Sequence, residues 1–186
     1  GSIVSAPLTG GLPAAIAPEP TLSLPQFVAD FAVVATPGGR RALALDGHTL
    51  YAGATVVASD VTSFLATPEY LYATTLAHTL TIARHDGSRA HARAIERGAL
   101  LIAFVPTTDT LVLQMPRGNL EGIRPRCVVL DRVAAAFARR AYADAFALVR
   151  THRLNPTVVR DLNFAQLLAD VPQLLAAGLP PDTLNT

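Results

Sequence analysis

Histidine and cysteine are the residue types whose chemistry could support metal binding or nucleophilic catalysis in this chain. The sequence contains one cysteine, Cys127, and five histidines: His48, His78, His85, His91 and His152. A lone cysteine excludes an internal disulfide and a thiolate metal cage. No two histidines have the i, i+4 spacing on a helix, with a carboxylate, that a zinc hydrolase uses. We therefore predict structural histidines, a packed thiol, and no metal or other cofactor.

The run Pro37–Arg41 is a candidate anion-binding loop, because exposed glycine amides and arginines attract phosphates. The Lys-Ser/Thr pair and the helix of a phosphate-binding loop do not follow it, so a hairpin turn is favoured. The chain has neither a nucleophile elbow nor a dinucleotide fingerprint, and its carboxylates are scattered singly. The sequence therefore predicts a protein that is not an enzyme. An all-β hydrolase or ligand-binding domain with a helical appendage stays open, favoured if His48 or His78 lies beside a carboxylate in a cleft.

Arginine supplies every one of the 15 basic side chains, and the formal net charge is only +1. Residues 117–160 nevertheless hold nine arginines against three acids, so the basic charge is local. We predict that this segment presents a solvated or partner-facing surface, with contact to RNA phosphates as the alternative. Aromatic side chains for base stacking are not interleaved with it, which favours the protein partner. The candidate surface residues are Arg124, Arg126, Arg132, Arg139, Arg140, Arg150 and Arg153.

The composition indicates a folded protein, since 51% of the residues are hydrophobic and 16% are charged. The sequence starts at Gly1 rather than Met, so we expect a piece of a longer chain. Residues 1–25 contain five prolines and are predicted to form a loop or linker. No apolar run is long enough for a membrane-spanning helix, and the lone cysteine fits a reducing compartment. We expect a soluble, intracellular protein.

Residues 26–115 consist of short apolar runs separated by turn residues such as Asp46-Gly47 and Asp86-Gly87, which favour tight hairpins. Nine runs have strand length: 27–35, 42–45, 49–52, 55–58, 63–66, 70–75, 79–83, 99–105 and 110–114. Antiparallel meanders at this spacing are typical of a sandwich or of propeller blades. About two four-stranded blades would fit this length. Periodicity alone leaves the two architectures open.

Helical periodicity begins after Pro116. Apolar side chains recur at i, i+4 and i+8 from Val129, which predicts a helix over 125–140, and a second helix is predicted over 141–152. Asn155-Pro156 is a start signal for a third, which should break near Asp161 or Asn163. Further along, Pro172 is predicted to kink the helical stripe and Gly178 to end it. Short helices with short connections indicate stacked helical hairpins.

The string from Leu111 to Glu121 is predicted to be the junction between the two modules. A strand would stop at Pro116, turn at Gly118 and hand over to a helix through Asn119 as a cap. Glu121 would then lie near the positive end of that helix.

Three motifs together resemble the family of Elongator large subunits, the IKAP-type scaffolds. They are Ile95–Gly98, the run Gln114–Glu121 that contains Met115, Pro116, Arg117, Gly118, Asn119 and Leu120, and Arg150–Asn155. The resemblance implies that residues 26–115 are the last blades of the second WD40-type propeller. It implies that 116–124 form a junction, and that 125–186 begin an all-α, TPR-like solenoid.

The resemblance also implies a non-catalytic scaffold of the Elongator complex, which modifies the wobble uridine of tRNA. Its partners would be a catalytic subunit resembling radical-SAM and acetyltransferase enzymes and a second propeller subunit. Dimerisation would use a region outside this chain, contact with tRNA would be indirect, and no membrane would be involved. The expected location is the cytoplasm, with the nucleus left open. A coat or trafficking scaffold shares propeller-plus-solenoid architecture and is the alternative.

Overall fold

A computed structural model describes residues 2–4, 20–23, 28–88 and 90–176 of the chain. The described residues form two compact units. The first runs through Val105 and resumes at Leu111–Ile123, and the second consists of Pro106–Thr110 and the residues from Arg124 onward.

The first unit is built from strands. Their bounds are β1 Ser2–Val4, β2 Pro20–Ser23, β3 Asp30–Thr36, β4 Gly39–Asp46, β5 Thr49–Ala52, β6 Thr55–Ala58, β7 Val61–Ala66, β8 Tyr70–Thr75, β9 Thr79–Arg84, β10 His91–Ala94, β11 Leu100–Val105, β12 Thr110–Gln114 and β13 Leu120–Ile123. Each of the nine predicted runs coincides with one of them, to within a few residues at the ends; Phe27, at the start of the first run, lies outside the described residues.

Four antiparallel sheets result, with strand orders β1-β2, β3-β4-β5-β6, β7-β8-β9-β10 and β11-β12-β13. The two four-stranded sheets are meanders, which is the form of a propeller blade. The first strands of successive sheets contact one another. Strand β7 packs against β3 of the preceding sheet and against β11 of the following one. The Leu101 N–H on β11 donates to Ser63 Oγ on β7 over 2.8 Å. This arrangement favours propeller blades over a two-layer sandwich.

The core of the first unit lies between the first two blades. Leu43, Leu45 and Leu50 come from the first blade, and Val61, Phe64, Leu71 and Ala73 come from the second. Strand alternation points these side chains to one face of each sheet, so the two apolar faces bury one another. The Asp-Gly turns form as predicted, with Gly47 at φ +56° and Gly87 at φ +79°.

Two parts of the sequence prediction for this unit are wrong. Strands β1 and β2 pair antiparallel inside the segment predicted as a linker, and Pro20 is tolerated because it is the first residue of its strand. The predicted junction over 116–124 contains β13. This strand pairs antiparallel with β12, from Gln114↔Leu120 to Leu111↔Ile123, and so continues the sheet. The sheet therefore ends at Ile123, not at Pro116.

The second unit is helical, with α1 Arg126–Ala138, α2 Tyr142–Thr151, α3 Thr157–Leu162, α4 Phe164–Ala169 and α5 Val171–Ala176. The first two helices match the predicted ones. The predicted break after the third falls at Asn163, whose φ of −164° is extended and whose side chain caps α4. Pro172 does not kink a continuous helix as predicted, because it lies in the first turn of a new one, where its missing N–H costs nothing. The predicted stop at Gly178 lies outside the described residues.

One apolar cluster holds the second unit together. It contains Val129, Val133 and Phe137 of α1, Tyr142, Phe146 and Val149 of α2, and Val159 and Leu174 from later helices. The phenyl ring of Phe137 meets the Tyr142 ring edge-on, with centroids 5.3 Å apart. Side chains at helical spacing therefore form a shared core across successive helices, as the period predicted.

Candidate interaction surfaces

Two of the histidines lie against backbone carbonyls, and a third, His78, lines a cavity of about 250 Å³ together with Glu96. His48 Nδ1 lies 3.0 Å from the carbonyl oxygen of Val61, and His85 Nε2 lies 2.7 Å from that of Thr67. Among the described residues, no three His, Cys, Asp or Glu side chains form a group that could hold a metal ion. The predicted structural role of His48 and His85 is confirmed by their bonds to backbone.

Cys127 is half-buried in the first turn of α1. Burial raises the pKa of its thiol, and the nearby carboxylate of Asp131 acts in the same direction. The thiol therefore stays protonated at neutral pH, which agrees with the predicted packed side chain rather than a nucleophile.

The run Pro37–Arg41 is a hairpin turn between β3 and β4, as the sequence favoured, with Gly39 at φ +111°. The Arg41 guanidinium donates to the backbone carbonyl of His85. The adjoining cavity, of about 770 Å³, is lined by Arg40, Arg41 and Arg84 and also by the carboxylates of Glu69 and Asp86. Charges of both signs make this cavity a poor anion site.

The tract Met115–Asn119 is the tight turn of the β12–β13 hairpin. The Gly118 N–H donates to the Met115 carbonyl oxygen over 2.8 Å, and the Met115 N–H donates to that of Asn119 over 2.8 Å. Asn119 is therefore not a helix cap, and Glu121 lies on a strand, so both predicted roles are wrong. The misreading has a physical origin, because Pro, Gly and Asn favour hairpin turns as strongly as helix starts.

Two of the three motifs that carried the family resemblance meet at this hairpin. A Cβ on Gly98 would lie 3.5 Å from Pro116 Cγ. Met115 is buried, whereas Pro116, Arg117, Gly118, Asn119, Leu120 and Glu121 are exposed. The tract thus combines one buried anchor with a continuous exposed surface, which we call the hairpin surface.

Gly118 is the residue of this turn that the backbone constrains most. Its φ of +85° is left-handed, and an added Cβ would have open space around it. We expect Gly118→Ala to lower the free energy of unfolding by about 1–2 kcal/mol, through backbone strain alone.

Gly38→Ala is the matched control, because Gly38 has no positive φ and its added Cβ would meet only Thr36 Oγ1 at 3.8 Å. Urea unfolding of the two variants gives the comparison. Equal midpoints for both would contradict the assigned turn geometry.

The predicted arginine surface divides into three groups. Two members are paired with buried carboxylates: Arg132 with Asp109, and Arg140 with Asp170 over 3.1 Å. Arg139 and Arg150 are exposed and lie outside any described ion pair. The remaining three, Arg124, Arg126 and Arg153, line one cavity in the helical unit. All seven arginines are exposed, but the sequence did not predict their division into these groups.

Asp170 is a residue that sequence reasoning missed. Its carboxylate is buried and accepts hydrogen bonds from the hydroxyl of Tyr142 and from Arg140. Burial, assisted by this carboxylate, raises the pKa of Tyr142, so the phenol remains a neutral donor. An isolated Asp carries no sequence signal for such a role, because its partners lie on other helices.

No helix in the described part of the chain has the length and apolar character needed to cross a membrane.

A known protein family matches most of the strand unit. Residues 1–102 match the family model described as "ELP1 N-terminal second beta-propeller". Together with the blade-like sheets, this match defines a β-propeller protein. The chain belongs to the Elongator complex protein 1 family.

Individual relatives support this membership. Elongator complex protein 1 of Schizosaccharomyces pombe is 33% identical over 171 residues, covering 82% of this chain and 13% of the relative. The Saccharomyces cerevisiae protein is 35% identical over 125 residues, or 60% of this chain and 9% of the relative. The Drosophila melanogaster protein is 34% identical over 128 residues, which cover 69% of this chain and 10% of the relative. The chain spans about a tenth of the length of these relatives.

Proposed function

We propose that this chain is part of a non-catalytic scaffold subunit of the Elongator complex, which supports modification of the wobble uridine of tRNA. Family membership is the observation that carries the proposal. The relatives bear the name of a complex component rather than of an enzyme. His48 and His85, which lie within hydrogen-bond distance of backbone carbonyls, fit a structural use of side chains that could otherwise do chemistry.

The helical unit is proposed to be the start of a TPR-like solenoid. Its support is the way α1 packs on both α2 and α3 around one continuous apolar cluster. In a solenoid each helical hairpin buries its apolar face against the next. The exposed apolar side chains of Leu168 and Val171 on the later helices would be covered by the following hairpin.

The proposed partners are the catalytic radical-SAM and acetyltransferase-like subunit and a second propeller subunit. The exposed hairpin surface, which includes Arg117, and the arginines outside any described ion pair are the candidate contact regions, since arginine is enriched in interfaces. Homodimerisation through a region outside this chain, indirect contact with tRNA and a cytoplasmic location complete the proposal.

A test is to deplete the full-length protein from cells and measure modified wobble uridines in total tRNA by mass spectrometry. We expect these modifications to be lost and to return with the re-expressed protein, while modifications at other tRNA positions stay constant. Unchanged wobble uridines after depletion would contradict the proposed function.

A further inference from the structure

A basic cavity of about 480 Å³ lies in the helical unit between the start of α1 and the turn that follows α2. Arg124 and Arg126 line it from one side, and Thr151, His152 and Arg153 line it from the other. The last three belong to the Arg150–Asn155 motif, in which Leu154 joins the apolar core and the polar residues do not. No carboxylate is among the described residues that line the cavity.

The three arginines form no ion pair with a carboxylate of the described residues. Within the described residues, no carboxylate lies within 4.0 Å of Arg124, Arg126 or Arg153, whereas Arg132 nearby is held by Asp109. Like charges gathered around one cavity repel one another unless an anion enters. The cavity is therefore electrostatically complementary to a negatively charged ligand.

His152 adds a polar side chain at the base of this cavity. It is 9% exposed, and its nearest described charged neighbour is the Asp109 carboxylate, 3.9 Å from Nε2. That distance is too long for a hydrogen bond. The Asp109 carboxylate also pairs with Arg132, and the His152 ring leaves hydrogen-bonding capacity for a ligand in the cavity.

The backbone of Arg153 gives independent support. This residue ends α2 in the left-handed region, at φ +50°, with the Leu154 N–H bonded to the Val149 carbonyl oxygen in a Schellman motif. Glycine is the residue that this position favours. Arg140 occupies the equivalent position after α1, at φ +60°, and its side chain pairs with Asp170. An arginine kept where the backbone favours glycine fits a use of its guanidinium group.

We propose that this cavity binds the phosphate group of a phosphorylated protein segment. Guanidinium groups match phosphate oxygens in bidentate geometry, and clustered arginines recognise phosphorylated residues in this way. Among the described residues that line it, there is no Phe, Tyr or Trp on which a base could stack. The unpaired cations also converge on one compact cavity instead of following a strip. Both features favour a single phosphate on a peptide over an RNA backbone.

The test uses the full chain and a short alanine peptide with one central phosphoserine, titrated by isothermal calorimetry. The same peptide with serine reports on the phosphate, and an oligouridylate reports on RNA. We expect the phosphopeptide to bind at least about tenfold more tightly than the serine peptide, since charge-assisted hydrogen bonds are among the strong ones. A phosphopeptide that binds no better than the serine peptide would overturn the proposal, as would tighter binding of the oligouridylate.

Arg153→Gly separates binding from folding. It removes the guanidinium and relieves the left-handed backbone, so the melting temperature should be unchanged or higher while phosphopeptide affinity falls about tenfold. Arg126→Gln should weaken binding similarly. Arg150→Gln removes the same charge outside the cavity lining and should leave affinity within about twofold. Equal losses in Arg150→Gln and Arg153→Gly would show a diffuse charge effect and overturn the assigned site.

Discussion

Phe137→Ala is expected to lower the free energy of unfolding of the helical unit by about 3–5 kcal/mol, the usual cost of removing a buried phenyl ring. Phe137 is 3% exposed and contacts the Tyr142 ring edge-on. The substitution therefore removes apolar burial and an aromatic pair at the same time. Urea unfolding of the full chain, followed by the helical signal in circular dichroism, measures the change.

Phe164→Ala is the matched control, because the same atoms are removed from a side chain that is 55% exposed. Its effect should stay within about 0.5 kcal/mol, as for most surface substitutions. A comparable loss in both variants would mean that Phe164 is buried in solution and that the helical core is wrongly described.

Leu43→Ala is expected to lower the free energy of unfolding of the strand unit by about 2–5 kcal/mol. Leu43 is completely buried between the first two blades, in one cluster with Leu45, Leu50 and Phe64. Neither sheet can collapse into the resulting cavity without losing its register, so most of the cavity cost should remain. The strand signal in circular dichroism during urea unfolding measures it.

Leu76→Ala provides the comparison for the strand unit, since Leu76 lies in the β8–β9 turn and is 47% exposed. We expect a change within about 0.5 kcal/mol. If Leu43→Ala were as mild as Leu76→Ala, the packing of one blade on the next would be refuted.

Most of the strands could be predicted because both of their ends carry a signal. Runs such as Thr49–Ala52, Thr55–Ala58 and Thr110–Gln114 are apolar and are bounded by turn residues, and the structure gives them the same bounds. The missed strand β10 has no buried side chain. An edge strand of this kind forms through its backbone pairing, which leaves no pattern in the side chains.

Local sequence patterns could not decide the structure of the hairpin tract. Pro116, Gly118 and Asn119 satisfy a helix-start pattern and a hairpin pattern equally well. The choice depends on whether Leu120–Ile123 has a strand to pair with. Strand β12 is that partner, and the pairing is antiparallel. Tertiary pairing thus decides an ambiguity that local propensity cannot resolve.

The arginine surface was predictable as a charged region but not as a set of sites. Whether an arginine is paired depends on carboxylates far away in sequence, such as Asp109 for Arg132, a separation of 23 residues. The left-handed backbone of Arg153 could not be predicted from the sequence either. Glycine is the usual sequence signal for a helix end of this kind, and an arginine stands in its place.

We propose that this chain belongs to a scaffold that assembles the Elongator complex. The most direct measurement is affinity purification of the full-length protein from its own cells, with quantitative mass spectrometry of what is recovered. We expect recovery of the radical-SAM and acetyltransferase-like subunit together with a second propeller subunit. Recovery of vesicle-coat subunits in their place, or of the protein alone, would contradict it.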